Sequence, residues 1–337
     1  KGNNMPTPRK AQISLQDTSY YHCVSRCVRR SFLCGIDKVT KKNYEYRRQW
    51  LEDRLLQASQ VFAIDICAYA IMNDHFHVVL HVDEEQAKSW SIEQVLYRWH
   101  QQYKGTLLTQ RYMNENERIN MSAPEIEAVM SSANIYRQRL YSISWFMKCV
   151  NEHIARKANK EDDCTGHFWE GRFKSQALLD EVALISCMAY VDLNPIRADI
   201  ATTPENSDYT SIKKRIYSIK KSKNTTDNIK NMPKPNVLMP FVGASRKDIP
   251  KGILFSFLDY IELVNETGKI IREDKRGFIT NNIPILERIG IDSSHWLELT
   301  TGFEQYFSGA ASHEQQLIQS YKTHVKSTIN ALAANLR

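Results

Sequence analysis

His75 and His77 stand two apart in Asp74-His75-Phe76-His77-Val78-Val79-Leu80-His81, a stretch rich in β-branched and apolar residues. On a strand that spacing projects both rings from one face, and two adjacent imidazoles make half of a metal site. The same pattern also fits two ordinary polar positions on a half-exposed face. His81 shares that face by parity, as a third ligand or as one more polar position. Tyr190 and Asn194, four apart in Tyr190-Val191-Asp192-Leu193-Asn194-Pro195, supply a second pair. On a helix they lie on one face, about one turn apart. A phenol can attack phosphorus and keep the energy of the broken phosphodiester in a covalent intermediate. The carboxamide oxygen of Asn194 can complete a metal site begun by two histidines. Taken alone, such a pair is more often a buried tyrosine and a helix-terminal asparagine.

These residues need elements to hold them. Residues 61–70 and 76–82 read as two strands joined by the turn Met72-Asn73-Asp74. Residues 19–26 read as a first strand running into a basic turn, with His22 on a strand face and only a minor candidate for metal binding. Helical spacing follows over residues 44–60, where Trp50, Leu51, Leu55 and Leu56 form an apolar stripe. It recurs over residues 91–103, opened by the weak cap Ser91-x-x-Gln94. Residues 108–133 are polar and punctuated, as in an insertion. Residues 136–158 read as one long amphipathic helix. A fourth strand is expected over residues 172–179, with Arg172 and Lys174 on one face as surface charge or as a phosphate-contacting edge. A helix from Asp180 to Leu193 is stopped by Pro195.

The remainder changes character. Residues 202–236 are rich in Lys, Ser, Asn and Pro and read as a basic linker. Residues 237–337 regain periodicity, with helices expected over 253–264, 296–307 and 313–336. This segment reads as a separate, mainly helical domain without recognisable chemistry.

Length and charge are consistent with that plan. At 337 residues the chain can hold two domains. Its net charge of +7, with Arg26, Arg29 and Arg30 clustered early and six lysines and arginines between Lys213 and Lys223, favours a polyanionic partner. Seven cysteines with no Cys-x-x-Cys pair suggest reduced thiols in a cytoplasmic protein rather than a disulfide framework or zinc site. No long uninterrupted apolar run suggests a membrane span.

Three stretches then occur in order: Tyr69-x-Ile71-Met72-Asn73-Asp74-His75-Phe76-His77, Gly166-His167-Phe168-Trp169-Glu170-Gly171-Arg172-Phe173, and Tyr190-Val191-Asp192-Leu193-Asn194-Pro195-Ile196-Arg197-Ala198. Together they resemble the single-tyrosine HUH transposases, particularly the REP-associated tyrosine transposases. The turn Ser25-Arg26-x-x-Arg29-Arg30 resembles that family's first-strand ending. The resemblance implies an α+β fold: an antiparallel sheet flanked by helices, of the HUH or ferredoxin-like nuclease type. It covers a catalytic domain over residues 15–201, with an insertion at about 108–133 and the helical C-terminal domain added. It implies Mg²⁺ or Mn²⁺ held by His75, His77 and Asn194, with Tyr190 as the nucleophile. The expected partner is single-stranded or hairpin DNA, nicked and rejoined through a 5′-phosphotyrosine, with Arg26, Arg29, Arg30, Arg172 and Lys174 on the DNA. A non-catalytic, hairpin-binding descendant of a transposase is the alternative. The protein is then expected in the cytoplasm, with the nucleoid when bound to DNA, as a monomer or a homodimer.

Overall fold

The computed structural model describes residues 12–28, 33–37, 41–223, 238–243, 251–273, 286, 291–307 and 309–334. Arg29 and Arg30 lie outside the described residues. The fold is α+β, and its five strands follow the order β2-β3-β1-β4-β5. The first four are β1 (Tyr20–Arg26), β2 (Ile64–Ile71), β3 (His75–Val82) and β4 (Lys174–Leu178). Helix α1 (Arg47–Val61) lies between β1 and β2 in the chain. β2 and β3 form the expected hairpin, closed where the Met72 N–H donates to the His75 carbonyl at 2.8 Å. β1 and β4 run antiparallel, with His22 opposite Gln176 and Val24 opposite Lys174. This strand–helix–strand–strand…strand order is that of a split β-α-β unit.

The sheet is mixed rather than wholly antiparallel. β5 (Ala310–Ala311) joins the free edge of β4 in parallel, Ala177 opposite Ala310. Gly309, at φ +84°, turns the chain into this strand, and its carbonyl accepts from the Ala177 N–H at 2.9 Å.

Two compact units divide the chain: Lys1–Gln49, Ile66–Leu80 and Trp169–Arg337 form one, and Trp50–Asp65 with His81–Phe168 form the other. The residues expected as a separate C-terminal domain therefore share a unit with β1 and β4. β5 is one physical reason, and Asp180 is another. One Asp180 oxygen caps the helix that follows β4 through the Ala183 N–H at 2.7 Å, and the other accepts from the His313 N–H at 2.7 Å.

The second unit holds α2 (Glu84–Ser89), α3 (Ile92–His100), α4 (Leu107–Met113), α5 (Glu115–Arg118), α6 (Ala123–Leu140) and α7 (Ile143–Glu161). The polar punctuation that reads as an insertion is helix capping. Thr106, Asn114 and Ser122 stand at the N-caps of α4, α5 and α6. The single helix expected over 136–158 is broken in two. Tyr141 and Ser142 leave helical geometry, and the Leu140 carbonyl accepts from the Ala63 N–H at 2.9 Å. Trp99 stacks on Tyr136 at 4.4 Å, and Phe62 meets Phe146 edge-on at 5.6 Å.

In the first unit the later helices are α8 (Glu181–Asp192), α9 (Asn194–Arg197), α10 (Ser211–Lys223), α11 (Phe257–Glu273), α12 (Ser293–Tyr306) and α13 (Gln315–Ala334). From Ala183 to Asp192 every residue of α8 is buried. Its apolar side chains share one core with Val79 and Leu178 of the sheet and with Trp296 and Phe303 of α12. Part of the expected linker is helical because Asp192 anchors it. The Asp192 carboxylate accepts from the Ser211 hydroxyl at 2.6 Å, the Ile212 N–H at 3.0 Å and the Tyr260 hydroxyl at 2.7 Å. No helix among the described residues is long and apolar enough to cross a membrane.

Candidate active site

Strand parity decides which side chains meet. His22, Val24, Gln176 and Lys174 face the same way on the paired strands β1 and β4. On β3, His75 and His77 share a face, as their spacing predicts. The His22 and His77 rings are stacked, with centroids 5.2 Å apart and an interplanar angle of 9°. His22 Nε2 lies 3.0 Å from His77 Nδ1.

A second layer orients the pair. Gln176 donates its Nε2–H to the Phe307 carbonyl at 2.8 Å, which turns its oxygen toward His22 Nδ1 at 3.5 Å. With the amide assigned in this way, the proton of His22 belongs on Nδ1 and the lone pair on Nε2, facing His77. Burial lowers the pKa of His22, opposed by Glu304. Burial also drives His77 well below the ordinary imidazole range, helped by His22 and His75. Both rings are therefore neutral at pH 7, the state in which imidazole ligates metal.

Glu304 of α12 completes a group. His22, His77 and Glu304 each offer a ligand atom, and these atoms all lie within 4.8 Å of one another. Glu304 Oε1 is 3.4 Å from His77 Nδ1. The helix has non-helical backbone at Gly302, directly before Phe303 and Glu304. His77 Nε2 is buried with no hydrogen-bond partner among the described residues. An octahedral ion with bonds of about 2.1 Å separates adjacent ligands by about 3 Å, close to the 3.0 Å between the two ring nitrogens. Two neutral imidazoles and a carboxylate suit a divalent cation. Imidazole ligation favours Mn²⁺ over the all-oxygen preference of Mg²⁺.

His75 stands beside this group. Its ring meets His77 edge-on at 4.9 Å, and its Nδ1 lies 2.6 Å from the Asp74 carboxylate. That leaves Nε2 as the nitrogen not engaged by Asp74, the carboxylate–histidine arrangement that orients metal-ligating imidazoles. Asn194 is buried and opens α9 rather than continuing α8, and its amide nitrogen has no hydrogen-bond partner among the described residues.

Tyr190 reaches the pair from α8. Its ring lies edge-on to His77 at 5.7 Å and to His22 at 6.2 Å. Phe303 covers it at 5.9 Å, and Tyr190 is only 9% exposed. The Arg197 guanidinium lies 3.8 Å over its ring, held by the Thr300 carbonyl at 2.8 Å. Burial raises the Tyr190 pKa, and Arg197 opposes the rise.

The basic positions divide. Arg26 is half exposed, 3.9 Å from Asp74. Arg172 and Lys174 are exposed and line a cavity whose walls include His22 and Glu304. Two residues escape a reading of the sequence. Arg197 had a signal, since it is seven residues after Tyr190 and so two helical turns along the same face. Glu304 had none, because its position depends on how α12 packs.

No protein-family model matches the chain, and no curated protein does. Among solved structures it is similar to a REP-associated tyrosine transposase bound to a REP hairpin, with 8% identity over 59% of this chain and 79% of that one, and a TM-score of 0.35. That likeness is distant.

Proposed function

We propose that the protein is a metal-dependent single-strand DNA nicking and strand-transfer enzyme of the tyrosine transposase type, acting on hairpin-bearing DNA. One observation carries this reading: Tyr190 meets a stacked histidine pair and a carboxylate in a single cluster, with a guanidinium over its ring. His22, His77 and Glu304, with His75 beside His77, would hold the divalent ion. Such an ion supplies charge neutralisation at the scissile phosphate.

The chain's own groups do the rest. The Tyr190 Oη–P bond forms as the P–O3′ bond breaks; the phenol gives up a proton and the departing 3′ oxygen gains one. The product is a 5′-phosphotyrosine and a free 3′-OH. Attack by that 3′-OH, or one from another strand, reverses the step without ATP. Arg197 favours the phenolate form and opposes part of the effect of burial. His22 and His77 stay neutral, so neither adds positive charge that would repel the ion.

The burial of Tyr190 beneath Phe303 favours one other reading, a hairpin-binding protein that no longer cleaves. Incubating labelled hairpin DNA and Mn²⁺ with wild type and Tyr190→Phe, then resolving the products on a denaturing gel, separates the two. A covalent adduct with wild type and none with the variant is expected. Binding without an adduct favours the second reading, and an adduct formed by Tyr190→Phe overturns the assignment of the nucleophile.

A further inference from the structure

A cavity of about 930 Å³ lies alongside the candidate metal group, with His22 and Glu304 among its walls. Two elements supply its cations. Lys174 opens β4 on the face that parity gives to His22 and Gln176, and Arg172 lies two residues before the strand. Lys322 and Lys326 come from α13, where Gln319, Lys322, Thr323 and Lys326 follow the spacing of one helical face. All four cations are exposed. Glu304 is the sole acid among the described lining residues. Phe307 and the largely buried Phe173 and Tyr321 are also among its walls.

Spacing distinguishes this from a pocket for a small anion. Lys322 and Lys326 are about 6 Å apart along the helix axis, and Arg172 and Lys174, two residues apart, are at most about 7 Å apart along the chain. Paired cations at those intervals suit successive phosphates of an extended strand better than a single phosphate. Aromatic wall beside a cationic groove is the combination that takes single-stranded nucleic acid, since each base offers a face for stacking.

We propose that this cavity is the track along which one DNA strand reaches His22 and Glu304, with Arg172, Lys174, Lys322 and Lys326 on its phosphates. The inference rests on the reading of the protein as DNA-directed, but it needs neither cleavage nor metal. It gives the C-terminal helix a direct part in holding substrate.

Fluorescence anisotropy of a labelled single-stranded 20-mer, in EDTA and from 50 to 200 mM NaCl, tests it on the full chain. Each lost phosphate contact lowers the salt slope by about 0.7 for single strands. Lys322→Ala/Lys326→Ala should therefore lower it by about 1.4, so that wild type loses about sevenfold more affinity over that salt range than the variant. Arg172→Ala/Lys174→Ala should do the same. Unchanged slopes in both double variants overturn the track, as does a wild type that does not bind. A loss confined to Lys213→Ala/Lys214→Ala on α10 overturns it too, and stronger competition by blunt duplex overturns the single-strand assignment. The gel assay fails independently: slope loss without an adduct removes the chemistry and keeps the track, and an adduct with unchanged slopes does the reverse.

Discussion

Glu304→Gln separates the two ligand sets that the residues permit. The substitution keeps side-chain volume and helix while removing the one carboxylate of the group whose ligand atoms lie within 4.8 Å of each other. His22 and His77 keep their 3.0 Å contact, so the loss is confined to charge and one ligand. Partners outside the coordination sphere already cost about 10–100-fold in metal affinity when removed, or about 1.4–2.7 kcal/mol. A direct carboxylate ligand should cost at least that. With Mn²⁺ in excess, the stabilisation it confers falls by the same amount. At about 2–4 °C per kcal/mol for a unit of 150–250 residues, the rise in Tm on adding Mn²⁺ should shrink by about 3–11 °C. Thermal unfolding with Mn²⁺ or EDTA measures this for wild type, Glu304→Gln and Asn194→Ala. A full rise in Glu304→Gln with a reduced one in Asn194→Ala would return the third ligand to Asn194 and refute the geometric reasoning. No rise in wild type would remove the metal group altogether.

Two further predictions concern the frame. Burial pushes the Asp192 carboxyl from 3.8 up to about 6, against three hydrogen-bond donors. Between those values the folded chain holds a proton that the unfolded chain has released, so stability falls as pH rises through the window. From pH 4.5 to 6 the Asp192 contribution lost is about 1.5 kcal/mol; urea unfolding should show that loss in wild type relative to Asp192→Asn, and parallel pH profiles would refute it. Trp296 is fully buried and donates its Nε1–H to Thr267 at 2.9 Å, so Trp296→Ala should cost about 3–5 kcal/mol by the same assay. A cost under about 1 kcal/mol would mean that α12 is not anchored there.

Much of the frame was legible because it depends on local pattern. β-branched and apolar residues mark β3, the i, i+4 stripe marks α1, and Asp180 announces α8 as an N-cap. Departures arose where a long-range partner overrode local character. Residues 136–158 keep an amphipathic period through the break at Tyr141 and Ser142, and no residue there signals that Ala63 takes the Leu140 carbonyl. The basic stretch after residue 202 is polar enough for a linker, yet Asp192 fixes its helix from another element. β5 contains only two alanines, too short for any period, and its parallel pairing with β4 makes the sheet mixed.

The candidate site shows the same division at finer scale. Periodicity states which side chains share a face, but not what that face meets. Tyr190, Asn194 and Arg197 follow i, i+4, i+7, and it is Arg197 that stands 3.8 Å over the phenol ring. Asn194 shares the stripe with its amide nitrogen buried. His75 and His77 share a strand face, but only His77 joins the three-residue group, because His22 on β1 stacks on that ring while Asp74 takes His75. His22 becomes legible once β1 and β4 are in register, since Gln176 opposite it fixes the ring. Glu304 follows only from the packing of α12, where buried Trp296, Leu299 and Phe303 set the rotation of the helix and the non-helical backbone at Gly302 precedes the carboxylate. A site assembled from two strands, the helix after β4 and a helix over a hundred residues later is written in the sequence as separate half-sites. The core determines which halves are joined.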